Sequence, residues 1–229
     1  MKTWIKVARF QLADQTSFTA LPWGVLAINL VIWYVIAGSF GGSGVRVQSY
    51  NVCVIYVVFL IVGMLSTFRS LPFALALGVS RRAYYIGTAL LVIGLSAING
   101  LVLALLQVLE RVSDGWGVGL YFFRVGYILA GPWYLTWLTS FVGLALVFLY
   151  GMLYGLVYRR WTLLGLGAFA CAQVAAALAV VLVISHARAW TSVGHFFTGI
   201  SAAGLTGLLA ALTVVLLAAG FATARRVTV

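Results

Sequence analysis

The chain has 229 residues, of which 64% are hydrophobic and 7% are charged, and its mean hydropathy is +1.14. These values exclude a soluble globular domain and indicate an integral membrane protein. Fourteen basic and three acidic residues give a formal charge of +11. Because the basic residues fall in short breaks between apolar runs, retention at the cytoplasmic face explains them better than nucleic-acid binding.

The N-terminal segment, residues 1–19, has the pattern of a helix that lies in the membrane interface. Its apolar residues share one helical face, and Lys2, Lys6 and Arg9 share another. The alternative is a basic tail that only fixes the topology. A cleaved signal peptide is not expected, because about twenty residues precede the first apolar run and no convincing small-x-small cleavage site follows it.

Six charge-free intervals of 22 to 36 residues divide the rest of the chain. Each can hold a transmembrane helix, which needs about 20 apolar residues. The sequence therefore predicts an all-α polytopic membrane protein with a single transmembrane domain over residues 1–229. The predicted spans are about 21–38, 51–65, 85–109, 133–158, 161–185 and 202–222.

The distribution of basic residues predicts the orientation of these spans. With the N-terminus inside, ten basic residues are cytoplasmic: Lys2, Lys6, Arg9, Arg69, Arg81, Arg82, Arg159, Arg160, Arg225 and Arg226. The other four are outside: Arg46, Arg111, Arg124 and Arg188. Both termini are therefore expected in the cytoplasm.

The segment between the second and third spans, residues 68–88, has the signals of a short helix and a corner. Ser70 is a candidate N-cap, Pro72 suits a first helical turn, and Gly78 suits a left-handed stop. Ser80 is then a candidate N-cap for the third span. The short helix is apolar and lies between cations, so it either rests in lipid or docks into another protein.

Two outer segments are predicted to lie at the membrane interface. Residues 187–201 contain Trp190, Phe196 and Phe197, and residues 114–132 are rich in glycine and aromatic residues. We expect short interfacial helices in both. Cys53 and Cys171 differ too much in predicted depth to form a disulfide, so both are interpreted as packing residues.

Catalytic signatures are missing from the sequence. The only lysines are Lys2 and Lys6, so a P-loop lysine is excluded in the rest of the chain. The two histidines, His186 and His195, share one predicted loop, which argues against a metal site. All three carboxylates lie outside the predicted spans, which argues against ion-coupled transport. We expect no cofactor, no metal and no enzyme activity in this chain alone.

A few polar residues fall inside the predicted spans, among them Asn29, Asn99 and Gln173. Such groups either form hydrogen bonds between helices or line a transport pathway. The packing role is the default expectation for each of them.

The layout resembles the membrane permeases of bacterial ABC exporters of the ABC-2 class. The most specific part of the resemblance is the Leu-Ala-Leu-Gly-Val-Ser-Arg-Arg-Ala-Tyr-Tyr block over residues 75–85. The resemblance implies a multi-pass permease of the bacterial cytoplasmic membrane, a second permease copy, identical or paralogous, and a cytosolic ATPase subunit that binds ATP and Mg. It also implies that the short helix is a coupling helix. The implied ATPase contacts are Leu71, Phe73, Leu75, Leu77, Arg81 and Arg82.

Two other functional classes remain open. A ligand-binding membrane component of an energy-coupling-type vitamin importer would also have about six spans, but it would bind its ligand alone. A non-transport assembly or regulatory protein would need no ATPase partner.

The predicted topology is tested by cysteine labelling. In a background without Cys53 and Cys171, Ser80→Cys or Arg160→Cys is expected not to react with an impermeant thiol reagent in intact cells, because both positions are predicted to be cytoplasmic. Permeabilised cells provide the control. Reaction in intact cells would contradict the topology.

Overall fold

The computed structural model describes residues 19–39, 47–125 and 132–224, without the side chains of residues 69, 197, 198 and 222–224. The helices in this part are α1 (Leu21–Ser39), α2 (Cys53–Leu65), α3 (Leu71–Ala76), α4 (Arg81–Val112), α5 (Trp133–His186), α6 (Trp190–Gly199) and α7 (Ala202–Ala224). Two short strands, β1 (Val47–Gln48) and β2 (Leu120–Tyr121), pair in parallel. The predicted interfacial helix at 1–19 falls almost entirely outside the described residues.

Five helical stretches of the described chain are long and apolar enough to cross a membrane: Leu21–Ser39, Cys53–Ala76, Arg81–Val112, Trp133–His186 and Ala202–Phe221. The all-helical class is therefore confirmed. The bounds of α1, α2, α4 and α7 agree with the first, second, third and sixth predicted spans to within four residues. The second stretch is longer than predicted because a π-helical turn, Ser66–Ser70, joins α2 directly to α3.

Helix α5 is not one straight rod. A straight helix of 54 residues would be about 81 Å long, with Tyr150 and Gln173 about 35 Å apart along its axis. The Tyr150 hydroxyl instead donates to Oε1 of Gln173 at 2.7 Å, and the rings of Tyr154 and Phe169 are in contact. The chain reverses at Thr162, whose φ of 57° and ψ of −158° are not helical. The two halves of α5 are therefore antiparallel, and the reversal lies two residues after the predicted break at Arg159–Arg160.

The N-terminal half of α5 packs against α2 in a parallel arrangement, and glycines allow the two backbones to meet. A Cβ on Gly63 of α2 would collide with the Phe148 carbonyl oxygen, and one on Gly151 would collide with that of Leu60. Gly155 meets Thr67 and Met64 in the same way. The Gly151–Gly155 pair is therefore a helix-packing motif of the small-xxx-small kind.

The N-terminal half of α5 also packs against α4, which is antiparallel to it, and against α7, which is parallel to it. Gly100 of α4 lies against the backbone of Phe141, and the indole of Trp137 donates to the Ala97 carbonyl at 3.1 Å. The Thr139 and Thr206 hydroxyls are 2.7 Å apart, which joins α5 to the first turns of α7.

The bundle has two ends, which we name by their contents. The corner end contains the π-helical turn, α3, the start of α4 and the Thr162 reversal, and there Phe68 packs against Tyr158. The strand end contains β1, β2, the end of α4 and α6. Glu110 is in the last turns of α4 at the strand end.

The close approach of α2 and α5 gives a prediction. Gly151→Ala is expected to lower the free energy of unfolding by about 1–3 kcal/mol, because the added Cβ has no room. Gly167→Ala, where nothing lies within 4 Å, is the matched control and is expected to be neutral or stabilising. Denaturant unfolding in micelles measures both. Equal stability of the two variants would contradict the packing.

Candidate functional site

The corner between α2 and α4 contains most of the predicted partner contacts. Helix α3 begins directly after the π-helical turn, with Pro72 in its first turn. The predicted N-cap at Ser70 is wrong: its backbone is helical and its side chain makes no capping bond. The helical backbone is continuous from the π-helical turn into α3, so α3 has no free N-terminus at Ser70 that a side chain would need to cap.

One face of α3 is anchored to the bundle. Leu71 and Ala74 are buried in a cluster with Tyr84, Tyr85 and Met152. Leu75 packs against the same cluster and is half-buried. Leu71 therefore serves to fix α3 on the bundle and has little surface left for a partner.

The other face of α3 is exposed. Phe73 is 51% exposed and Leu77 is 66% exposed. Phe68, in the preceding π-helical turn, is also exposed. The predicted contacts thus divide by burial, and Phe73 and Leu77 form the apolar surface at this end.

The connection from α3 to α4 has the geometry predicted from the sequence. Gly78 has a φ of +77°, which residues with a side chain rarely adopt, and it ends α3. Ser80 is extended, and its hydroxyl accepts a hydrogen bond from the Ala83 amide at 3.2 Å. Only a few residues therefore separate the exposed face of α3 from the capped start of α4.

Cations and aromatic residues surround this surface. Arg82 lies 5.6 Å from the centre of the Phe221 ring, and Arg160 lies 4.8 Å from that of Trp161. Arg81 is half-buried. The Tyr85 hydroxyl donates to the Leu217 carbonyl at 2.8 Å, which ties the start of α4 to α7. The corner is thus attached to two long helices.

The three polar residues predicted within the spans make different contacts. The Trp23 indole donates to Oδ1 of Asn99 at 2.7 Å, which joins α1 to α4. Gln173 accepts hydrogen bonds from Tyr150 and Tyr154 and joins the two halves of α5. Asn99 and Gln173 therefore each take part in a hydrogen bond between helical segments. Oδ1 of Asn29 is buried and has no hydrogen-bond partner among the described residues.

Glu110 is the residue that the sequence interpretation missed. It was placed outside the third span, but it lies within α4 and is 1% exposed. Its carboxylate accepts hydrogen bonds from the Phe122 and Phe123 amides at 2.8 Å, the Arg124 amide at 3.1 Å and the Trp116 indole at 3.2 Å. The sequence feature that could have indicated this site is a glutamate at the end of an apolar run, followed by the glycine-rich segment 115–119.

The segment after α4 does not form the predicted interfacial helix in the described part of residues 114–132. Five residues with positive φ make a tight loop instead: Asp114, Gly115, Trp116, Gly117 and Gly119. Such residues interrupt a right-handed helix, and the amides beyond them turn toward Glu110. Strand β2 then pairs with β1.

A cavity of about 220 Å³ lies between α2, α5 and α7 near the strand end. Its lining residues are Val52, Cys53, Tyr56, Val125, Thr139, Gly143 and Leu209. Both Cys53 and Cys171 are free and exposed. Their interpretation as packing residues is therefore wrong for the isolated chain.

Helix α6 falls within the segment predicted to lie at the interface, residues 187–201. Trp190 and Phe196 are exposed, and the Trp190 indole donates to Ser185 at 3.1 Å. The Phe197 side chain lies outside the described part. His186 and His195 are both exposed, and the described ranges contain no group of three or more His, Cys, Asp or Glu residues arranged to hold a metal ion.

Comparison of the chain with protein-family models, with curated proteins and with solved structures finds no match.

The contact between the halves of α5 gives a prediction. Gln173→Leu is expected to lower the free energy of unfolding by about 1 kcal/mol, because it removes the acceptor shared by Tyr150 and Tyr154. Tyr154→Phe should cost less, and the double variant should cost less than the sum of the two. Unfolding in micelles measures the cycle.

Thr213→Val is the matched control, because among the described residues the partner of the Thr213 hydroxyl is the Leu209 carbonyl of its own helix. It is expected to change stability by at most about 0.5 kcal/mol. Strictly additive effects of the Gln173 and Tyr154 substitutions would contradict the contact.

Proposed function

We propose that the chain is the membrane-spanning permease subunit of an ATP-driven ABC exporter of the bacterial cytoplasmic membrane. The observation that carries the proposal is the corner end: a short helix anchored through Leu71 and Ala74 that exposes Phe73 and Leu77. An apolar surface of this kind suits the groove of a partner protein. The cargo class is left open, because lipid, peptide and polysaccharide exporters share such a layout.

The number of crossings in this proposal is six. The reversal at Thr162 supports it, because each half of α5 has the length of one span. The halves correspond to the fourth and fifth predicted spans, 133–158 and 161–185, and the hydrogen bond between Tyr150 and Gln173 joins them side by side.

The proposed orientation puts the corner end in the cytoplasm. Arg81, Arg82, Arg159 and Arg160 belong to this end, and Arg69 occupies the same segment in the sequence. The strand end has Arg111, Arg124 and Arg188, together with Glu110 and Asp114. Among the described residues, basic residues are therefore more numerous at the corner end, five against three, which is the bias that the positive-inside rule associates with a cytoplasmic face.

The energy source in this proposal is a separate subunit. The sequence has no lysine beyond Lys6, so it has no P-loop lysine with which to bind nucleotide phosphates. A cytosolic ATPase would hold ATP and Mg, and a second permease copy would complete the transport unit. Closure of the ATPase would push on α3, and the Gly78–Ser80 connection would pass the movement to α4.

Within this mechanism the predicted contacts divide into two roles. Phe73 and Leu77 enter the ATPase groove, while Leu71 and Leu75 hold α3 against the bundle. Arg81 and Arg82 are close to the membrane surface and can pair with the partner or with lipid phosphates.

The cavity between α2, α5 and α7 favours a second candidate, the ligand-binding component of an energy-coupling importer. Its lining is almost entirely apolar, as in many small-molecule sites. Binding of a small ligand by the isolated chain would favour this candidate over the exporter.

The coupling role is tested with Phe73→Asp. This substitution is expected to leave membrane insertion intact but to abolish co-purification of the ATPase and stimulation of its ATP hydrolysis, because a carboxylate cannot be buried unpaired in an apolar groove. Phe73→Leu, which keeps an apolar side chain, is expected to retain both.

Val112→Asp is the matched control, since it places the same charge on a highly exposed residue at the strand end. It should leave ATPase binding unchanged. Full complex assembly and transport by Phe73→Asp would contradict the coupling role.

A further inference from the structure

Within the described ranges, the donors to the carboxylate of Glu110 all come from one segment of the chain. Its four donors, the Trp116 indole and the amides of Phe122, Phe123 and Arg124, all belong to residues 113–125, which we call the cap segment. A buried carboxylate is unfavourable unless donors replace its water, and charge-assisted bonds of this kind are stronger than neutral ones. The buried state of Glu110 and the folded state of the cap segment therefore depend on each other.

The cap segment closes the strand end of the bundle. Leu120, Phe122 and Phe123 are fully buried in the larger apolar cluster, together with Leu26 of α1 and Val52 beside α2. Strand β2 within the cap segment pairs with β1, and the Ser49 amide donates to the Tyr121 carbonyl at 2.9 Å. Displacement of the cap segment would uncover all of these groups.

The backbone of the cap segment is strained in its closed form. Asp114 and Trp116 have φ values of 46° and 60° although neither is glycine. Residues in this conformation persist only where surrounding contacts enforce it. Gly115 is also confined, because a Cβ there would lie 2.8 Å from the Leu120 amide nitrogen. The closed form thus needs a specific contact to hold it.

The cavity borders the end of this segment. Val125 is its last residue and lines the cavity with Cys53, Tyr56 and Leu209. We infer that Glu110 is a positioning residue that latches the cap segment closed over the strand end, and that loss of the latch opens the cavity to water from that end. This inference does not depend on the proposed ATPase partner.

The test uses the full chain in lipid nanodiscs, with Cys53→Ser, Cys171→Ser and Val52→Cys, so that the one thiol replaces Val52, which is 2% exposed and lines the cavity. Glu110→Gln keeps the shape of the side chain but removes its charge and one acceptor oxygen. Amide hydrogen exchange at Phe122, Phe123 and Arg124 is expected to accelerate at least about tenfold, as is labelling of the thiol at position 52 by a charged, water-soluble thiol reagent. Exchange in the middle of α2 and α4 is expected to stay unchanged.

Asp114→Asn is the matched control, because Asp114 is a carboxylate of the same segment that accepts from the exposed Tyr121 hydroxyl at 2.6 Å. It is expected to change neither rate by more than about twofold. Gly115→Ala provides a second route, since it disturbs the closed loop with Glu110 intact, and it should raise the same two rates.

Three results would overturn the latch. They are unchanged exchange at residues 122–124 in Glu110→Gln, equal effects of Glu110→Gln and Asp114→Asn, and exchange that rises equally in every helix of both Glu110→Gln and Gly115→Ala. Failure of ATPase co-purification would leave these measurements unaffected, so the latch and the proposed function fail separately.

Discussion

The bundle depends on how closely other helices can approach the N-terminal half of α5. Gly151 and Gly155 of α5 lie against the backbone of α2. Gly63 of α2 and Gly100 of α4 lie against the backbone of α5 in turn. In a membrane, apolar side chains gain little by leaving lipid for protein, so association relies on close van der Waals contact and on hydrogen bonds between helices. Small residues at these crossings allow the close van der Waals contact, and the Thr139–Thr206 pair forms a hydrogen bond between α5 and α7. The positions of α2, α4 and α7 follow from this shared surface.

The helices could be predicted well because the spacing of charges along the chain is enough to locate them. A charge inside an apolar run is costly, so the charge-free intervals find α1, α2, α4 and α7 to within a few residues. The stops at Gly78 and Ser80 were also predictable, because each rests on a local backbone preference. Ser70 was not, since the π-helical turn that makes its cap unnecessary depends on how α2 and α3 pack.

The strand end was beyond sequence reasoning for a related reason. Glu110 looked like an ordinary acid at the end of a span, and its burial depends on amides twelve to fourteen residues away that only the folded loop brings to it. The strand pairing between Val47 and Leu120 joins segments far apart in sequence. Cys53 and Cys171 show the same limit, because depth along a helix was predictable and the face that each presents was not.

The length of α4 has a mechanical consequence. Its 32 residues extend for about 48 Å, while the hydrocarbon core of a bilayer is about 30 Å thick, so an upright α4 stands well clear of the lipid tails. The same rigid rod begins beside the anchored face of α3 and contains Glu110 near its other end. A rod pivoting where Gly100 meets α5 would move its two ends in opposite directions. A displacement of the α3 end of α4 at one membrane surface would then move the Glu110 end at the other surface, without any change in the conformation of the helix.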